Sequence, residues 1–371
     1  MRILFLTNVP SPYRVDFFNE LGKYCDLTVL FERRNASNRN KDWFNEKERN
    51  FKSIYLKGYN YGKDSALNPS VIKWIDKKKF DLFIVGGYST PTGMLAIQTL
   101  RMKKIPFILN SDGGVIKKDK PLIKAIKRYF IGSASWWLSS GQETNNYLKF
   151  YGANLNQTYI YPFSSLTKED IYLKPASIKE KQELRREIGI KNNRVVISVG
   201  QFIPRKGFDL LINAWAHVPK DVQLLLIGGG EEKSNYFNQI KKLDLHNIEI
   251  LDFIKFDDLK KYYRAADLFV LPTREDIWGL VINEAMACGL PIISTSGCIA
   301  ATELVKNNEC GQIVSIDNET ELANAINLYL KDRELSEAHS KNSIKEIEKY
   351  NIGNMAKVHF DIFKQILKDT K

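Results

Sequence analysis

The chain runs twice through one rhythm, and that repetition limits its fold more than any other feature. In the first half, short β-branched or aromatic runs at 3–7, 27–31, 53–56, 82–86, 107–110, 136–139 and 159–161 alternate with amphipathic stretches. Those stretches are 14–23, 69–79, 92–103, 121–131 and 143–150. Parallel neighbours cannot be joined by a tight turn, so this alternation predicts a parallel sheet wrapped by crossover helices. Around 164–178 the rhythm lapses into a polar stretch flanked by Pro162 and Pro175, read as a linker. It then restarts with continuous apolar runs at 194–199, 222–227, 248–251, 268–271 and 291–294, the pattern of strands buried on both faces. Three helical segments, 319–331, 335–350 and 353–371, end the chain. The expected fold class is α/β, with two Rossmann-like, doubly wound parallel-sheet domains facing a cleft. They would cover 1–165 and 166–350, and the last helix, 351–371, would be free to cross back to the first. Ligands of such sheets sit at the carboxyl ends of the strands.

Charge is distributed unevenly between the halves. Residues 1–165 hold 26 Lys and Arg against 13 Asp and Glu, while the remainder holds 29 against 30. A basic half fits a phosphorylated substrate, an anionic membrane face or nucleic acid, and equally a solvated lysine-rich surface. Four cysteines without CxxC spacing suit a reducing cytosol. No signal peptide is expected, because Asn8, Pro10 and Pro12 break the first apolar run. No run approaches the roughly 18 apolar residues of a spanning helix.

Two clusters carry the chemistry. In the first, Gly200, Arg205, Lys206 and Gly207 join a strand to a helix whose apolar face is Phe208, Leu211, Ile212 and Trp215. A helix start, close backbone and two cations suit a diphosphate, although a plain strand–turn–helix with exposed cations has the same pattern. In the second, residues 271–291, a charged loop containing Glu275 and Asp276 precedes a helix that starts near Gly279 and stops at Gly289. Glu284 falls among apolar neighbours, where a carboxylate needs a partner, and a ribose diol would provide one. Asp276 would reach hydroxyls of a sugar in front of the helix, and the free N–H groups near Gly279, Leu280 and Val281 would face its phosphate. Both acids also fit caps or salt-bridge partners.

This string resembles the signature of retaining GT-B glycosyltransferases of the family-4 type, in which two carboxylates are separated by seven intervening residues ahead of a small-small-small-Gly-x-Pro ending. Asp276 and Glu284 have that spacing. Residues 226–230, the segment 251–254 with Leu259 and Tyr262, and residues 311–314 resemble further parts of the pattern. The likeness covers roughly 195–315 and is generic over 1–165. It implies a retaining transfer from a nucleotide diphosphate sugar, UDP favoured, without metal or cofactor, to a glycan or lipid-linked glycan in cell-surface polysaccharide assembly. Lys206, with Arg205, would neutralise the diphosphate; Glu284 would hold the ribose and Asp276 the transferred sugar. Phe253 and Ile254 would flank the base, and Trp278 would join Gly279–Val281 in the donor site. Gln201 stands where the family usually has an arginine. The family's N-terminal histidine also has no counterpart, since all four histidines lie beyond residue 216. Asp112, in an Asp-Gly turn, is the stand-in candidate for a catalytic role.

On the acceptor side, Tyr13 and Arg14 follow the first strand. Residues 116–131 carry six cations against one acid, with Leu122, Ile123, Ile126, Tyr129 and Phe130 at helical spacing. Such a helix fits an anionic membrane surface, or its apolar face packs on the sheet. The expected location is cytoplasmic, peripheral on the membrane's cytoplasmic face. The alternatives are a GT-B phosphorylase, a nucleotide-sugar epimerase or a basic nucleic-acid-binding protein. No pyridoxal pattern, recognition helix or stacking strand with basic flanks supports these, and nucleic acid is not expected as a partner.

Overall fold

The computed structural model describes residues 1–34, 50–61 and 65–369. The chain divides into two compact units, Met1–Ser165 with Asn351–Lys371, and Leu166–Tyr350.

The first unit contains β1 (Arg2–Thr7), α1 (Pro12–Gly22), β2 (Asp26–Phe31), β3 (Lys52–Tyr55), β4 (Tyr59–Tyr61), β5 (Ser65–Leu67) and β6 (Leu82–Val85). It continues with α2 (Pro91–Met102), β7 (Ile108–Ser111), α3 (Pro121–Ile131), β8 (Trp136–Ser139), α4 (Gln142–Phe150) and β9 (Thr158–Ile160). Seven strands form a parallel sheet in the order β3-β2-β1-β6-β7-β8-β9. Its inner strand β1 is buried from Ile3 to Leu6, as strands covered on both faces must be. The strand order reverses between β1 and β6.

The second unit repeats the plan. It contains α5 (Ile178–Glu187), β10 (Arg194–Val199), α6 (Phe208–Trp215), β11 (Val222–Ile227), α7 (Lys233–Lys242), β12 (Ile248–Leu251) and α8 (Phe256–Ala265). Then follow β13 (Leu268–Leu271), α9 (Leu280–Ala287), β14 (Ile292–Thr295), α10 (Ile299–Leu304), β15 (Gly311–Val314), α11 (Glu319–Lys331) and α12 (Arg333–Ile347). The parallel sheet runs β12-β11-β10-β13-β14-β15. Here the order reverses between β10 and β13, which places their two exit loops side by side.

The last helix, α13 (Ile352–Asp369), belongs to the first unit and packs on α1. Tyr24 stacks on Phe360 with centroids 5.2 Å apart, and His359 lies 4.7 Å from Phe17 and 4.4 Å from Tyr161. His359 is fully buried. Its Nδ1 is 2.7 Å from the Met355 carbonyl, which only accepts, so Nδ1 is the nitrogen that donates there.

Two segments differ from expectation. Residues 69–79 do not form an α-helix: Pro69–Trp74 is a 3₁₀ turn, and Asp76 then accepts from the Lys78 N–H. Asn68 is in place to cap a helix but instead donates its amide to the Glu32 carbonyl and Thr92 Oγ1. In the basic stretch 116–131 only Pro121–Ile131 is helical.

Burial, assisted by the nearby Arg14 charge, pushes the His359 pKa down from 6.5 to about 4. His359 then contributes stability that is complete above about pH 6.5 and is lost as pH falls toward 4, roughly 3 kcal/mol in all. Melting of wild type and His359→Gln between pH 7.5 and 4.5 should show a steeper loss in wild type; equal slopes would refute the assignment. Glu32 and Glu284, both raised by burial, act in the opposite sense but equally in both proteins.

Candidate functional site

The loops leaving β10 and β13 lie side by side at the carboxyl edge of the second sheet. The first begins with Gly200 and exposed Gln201, then buries Phe202 against Phe208 and Tyr236, with centroids 5.3 and 5.5 Å away. A single 3₁₀ turn, Pro204–Lys206, precedes Gly207, whose φ of 69° starts α6. A Cβ at Gly207 would lie 2.1 Å from the Pro272 carbonyl oxygen, so the second loop passes where only glycine fits. The Arg205 carbonyl accepts from the Arg274 N–H at 2.8 Å and from Thr273 Oγ1 at 2.9 Å. Arg274 grips both Asp209 oxygens at 2.9 and 2.7 Å, Asp317 at 2.7 Å and the Pro204 carbonyl at 2.6 Å. The two loops are thus one rigid ledge.

Across that ledge the Lys206 ammonium is paired with the Asp276 carboxylate. The residues are 8% and 6% exposed, so both charges have largely left water. Desolvating each costs several kcal/mol, which the mutual attraction offsets only while both partners are present. Arg205 approaches the other Asp276 oxygen at 3.8 Å but donates to the Glu275 carbonyl at 2.9 Å, and its side chain is half-exposed. The Asp276 backbone is fixed as well: its N–H donates to the Gly297 carbonyl at 2.8 Å and its carbonyl accepts from the Ile299 N–H at 3.2 Å. Arg205 therefore supplies a half-exposed cation beside a buried one.

α9 completes the edge. Gly279 holds φ 100° at its start, where a Cβ would come within 2.7 Å of Cys298 Sγ. On α9, Leu280, Val281 and Glu284 are partly exposed, whereas Ile282, Asn283, Ala285, Met286 and Ala287 are buried. The open stripe thus contains the first-turn N–H groups, which have no partner within a helix, and one carboxylate. Glu284 Oε2 accepts from the Tyr263 hydroxyl at 3.1 Å. Burial pushes the Glu284 pKa up to about 7, the Tyr263 bond pulls it down, and the Asp170 charge adds to the rise. Tyr263 is fully buried; burial and then Glu284 raise its own pKa, so it remains a donor. Phe253 and Ile254 follow β12, with the Phe253 side chain largely in solvent.

Trp278 requires correction. Its indole is 2% exposed and donates to Asn283 Oδ1 at 2.9 Å, so it wedges the loop and does not offer a ligand surface. Sequence reasoning also passed over Tyr263 and Arg274. Tyr262 drew notice instead, but Leu259 and Tyr263, four residues apart, share the buried face of α8. Among the described residues, no group of three His, Cys, Asp or Glu side chains could hold a metal ion.

A second polar cluster occupies the carboxyl edge of the first sheet. Arg14, in the first turn of α1, is buried and ion-paired with Asp112 after β7. The other Asp112 oxygen accepts from Asn110 at 3.0 Å and Tyr161 at 2.6 Å. Burial works against the Arg14 charge, but Asp112 and the neighbouring tyrosines outweigh it and raise the pKa. Both Asp112 oxygens being engaged, this residue holds Arg14 in place and is no free substitute for a catalytic histidine. Tyr13 packs its ring edge-on to Phe163 at 5.9 Å. His359, placed by sequence far from the first half, is 3.5 Å from Asn110 in this cluster.

A sequence profile of the family described as glycosyl transferases group 1 matches residues 180–346, which span both loops and α9. This segment is similar to the group 1 glycosyl transferases. An uncharacterized glycosyltransferase of Haemophilus influenzae is 32% identical over 164 residues, covering 43% of this chain and 46% of that protein. The N-acetylgalactosamine-N,N'-diacetylbacillosaminyl-diphospho-undecaprenol 4-alpha-N-acetylgalactosaminyltransferase of Campylobacter jejuni is 28% identical over 179 residues, 47% and 48% of the two chains. The match thus spans about half the length of these relatives. Over the whole chain, the Anabaena protein HepE in complex with UDP and glucose has a TM-score of 0.74 at 20% identity, covering 99% of each chain. The fold is therefore the GT-B fold.

The matched segment should show strong coupling across its ledge. Lys206→Met and Asp276→Asn should each cost roughly 3 kcal/mol of unfolding free energy, while the double variant loses less than the sum by about 1–3 kcal/mol. Urea denaturation measures this, and strict additivity would mean that the pair carries no energy.

Proposed function

We propose that the chain is a retaining glycosyltransferase that takes a sugar from a nucleotide diphosphate donor and passes it to a glycan or lipid-linked glycan in cell-surface polysaccharide assembly. The observation that carries this reading is the juxtaposition of Lys206, Arg205 and the open first turn of α9 on one sheet edge. A diphosphate entering there competes with Asp276 for the Lys206 ammonium. As it takes the lysine, the Asp276 carboxylate becomes available to accept from a hydroxyl of the transferred sugar. The leaving diphosphate gains negative charge as the anomeric bond breaks, and Lys206, Arg205 and the N–H groups of Leu280 and Val281 stabilise it without a metal. Retention then requires the acceptor oxygen to add from the face that the diphosphate leaves. Glu284, steadied by Tyr263, accepts from the ribose hydroxyls, and Phe253 and Ile254 flank the base.

UDP is favoured as the nucleotide because HepE, which shares the fold, carries UDP and glucose. A lipid-linked acceptor is favoured because the Campylobacter relative is named for transfer to a diphospho-undecaprenol-linked glycan. The first unit would bind the acceptor through Tyr13 and Arg14, with Asp112 positioning Arg14. Among the described residues no helix is long and apolar enough to cross a membrane.

Two outcomes test this. Lys206→Ala should lower kcat for UDP-sugar turnover by about 10²–10³-fold, the cost of losing one donor to a developing oxyanion; unchanged kcat would remove Lys206 from the mechanism. Glu284 is acceptor-only toward the two ribose hydroxyls when ionised and loses one acceptor oxygen when protonated, and burial pushes its pKa up to about 7. UDP affinity should therefore weaken as pH falls from 8 to 6, with Glu284→Gln weak and flat throughout. Calorimetry across that range reads both, and parallel profiles would exclude Glu284 as the ribose group.

A further inference from the structure

α3 has its polarity turned outward. Along Pro121–Ile131 the residues in solvent include Leu122 at 73%, Ile123 at 44%, Ile126 at 39% and Tyr129 at 43% exposed. Lys124 and Lys127 are partly buried instead. Leu122, Ile126 and Tyr129 recur at i, i+4 and i+7, so one stripe of the helix is apolar and uncovered. The alternative, that this stripe packs on the first sheet, does not hold; Ile131, with partly buried Phe130 beside it, is what α3 sends to the core.

The apolar stripe extends onto neighbouring elements. Arg101 of α2 stacks over the Tyr129 ring at 4.1 Å, and the adjacent Met102 is 76% exposed. Lys124 lies over the half-exposed Phe150 of α4 at 4.4 Å. The surroundings are almost wholly cationic: Lys117, Lys118, Lys120 and Arg128 are exposed, as are Arg101, Lys103, Lys104 and Lys149. The single acid of 116–131, Asp119, accepts from Lys127 at 2.9 and 2.8 Å and from Tyr151, so its charge is already answered within the fold. An exposed apolar stripe within a cationic field has one fitting solvent, the boundary between anionic headgroups and acyl chains. A protein partner would have to supply a groove and a dense ring of acids together.

We infer that α3 seats the protein on an anionic phospholipid surface, with Leu122, Ile126 and Tyr129 entering the acyl boundary and Lys118, Lys120 and Arg128 at headgroup level. This rests on the first unit alone and is independent of the sugar-transfer reading. Each lysine near an anionic leaflet strengthens attraction roughly fivefold, and the effect fades within a Debye length.

Flotation of the full chain with vesicles of phosphatidylcholine alone, or with 30% (about one third) phosphatidylglycerol added, tests the inference. Binding should appear only with the anionic lipid and fall as salt rises. Lys118→Gln/Lys120→Gln should weaken it roughly twentyfold, and Leu122→Ser/Ile126→Ser at least about tenfold. All four sites are exposed, so melting temperature and UDP-sugar hydrolysis should stay at wild-type values. Failure to float, or equal flotation of the Leu122/Ile126 variant, would overturn the inference. Concentration-dependent self-association that this variant abolishes, without vesicle binding, would assign the stripe to a second copy and overturn it too. Loss of sugar transfer alone would not bear on it.

Discussion

The buried ion pair between Lys206 and Asp276 is the constraint on which the rest of the second unit depends. Two parallel strands at the reversal of sheet order send out loops that touch, and each loop brings one charge. Neither charge is tolerable there alone, so the pair fixes the separation of the loops. Gly207 admits the Pro272 carbonyl, Arg274 ties the loops from behind, and Gly279 turns the chain into α9. An internal counter-ion also keeps the lysine ordered when no anion is bound. A diphosphate then needs to outcompete one carboxylate, without first ordering a long side chain.

Much of this was legible in the sequence because strands buried on both faces announce themselves as continuous apolar runs. Strands β6, β10, β13 and β14 follow that rule, whereas β9 and β12 are only partly buried. Lys206 could be singled out as a cation in a strand-to-helix turn, Glu284 as a carboxylate among apolar neighbours on a helix, and Asp276 as a loop acid at a set spacing from it. The unread parts depend on tertiary choices that spacing does not encode. Residues 69–79 have helical spacing, but Asn68 is committed to Glu32 and Thr92 and cannot cap them. His359 lies far along the chain from Asn110, and only the return of α13 to the first unit brings them within 3.5 Å. Trp278 stands next to Gly279 in the donor-site stretch that the resemblance implies, but Asn283, five residues on, accepts from its indole and draws the ring inward.

The two units handle charge in different ways. In the second, cations and acids are balanced and the important ones lie inside the site. In the first, Arg14 is held by Asp112 within the fold, while most of the excess lysines remain on the surface, concentrated around α3. A basic patch alone would say little, since surface lysines are common. What gives α3 meaning is that Leu122, Ile123 and Ile126 are in water while Lys124 and Lys127 turn partly inward, the reverse of what a helix covering a sheet should do.

A crystal structure of the chain soaked with UDP tests the central claim most directly. The account predicts that Lys206 Nζ leaves Asp276 for a β-phosphate oxygen while Glu284, still bonded to Tyr263, receives the ribose hydroxyls. UDP bound elsewhere, or bound at this edge with the Lys206–Asp276 pair intact, would contradict it.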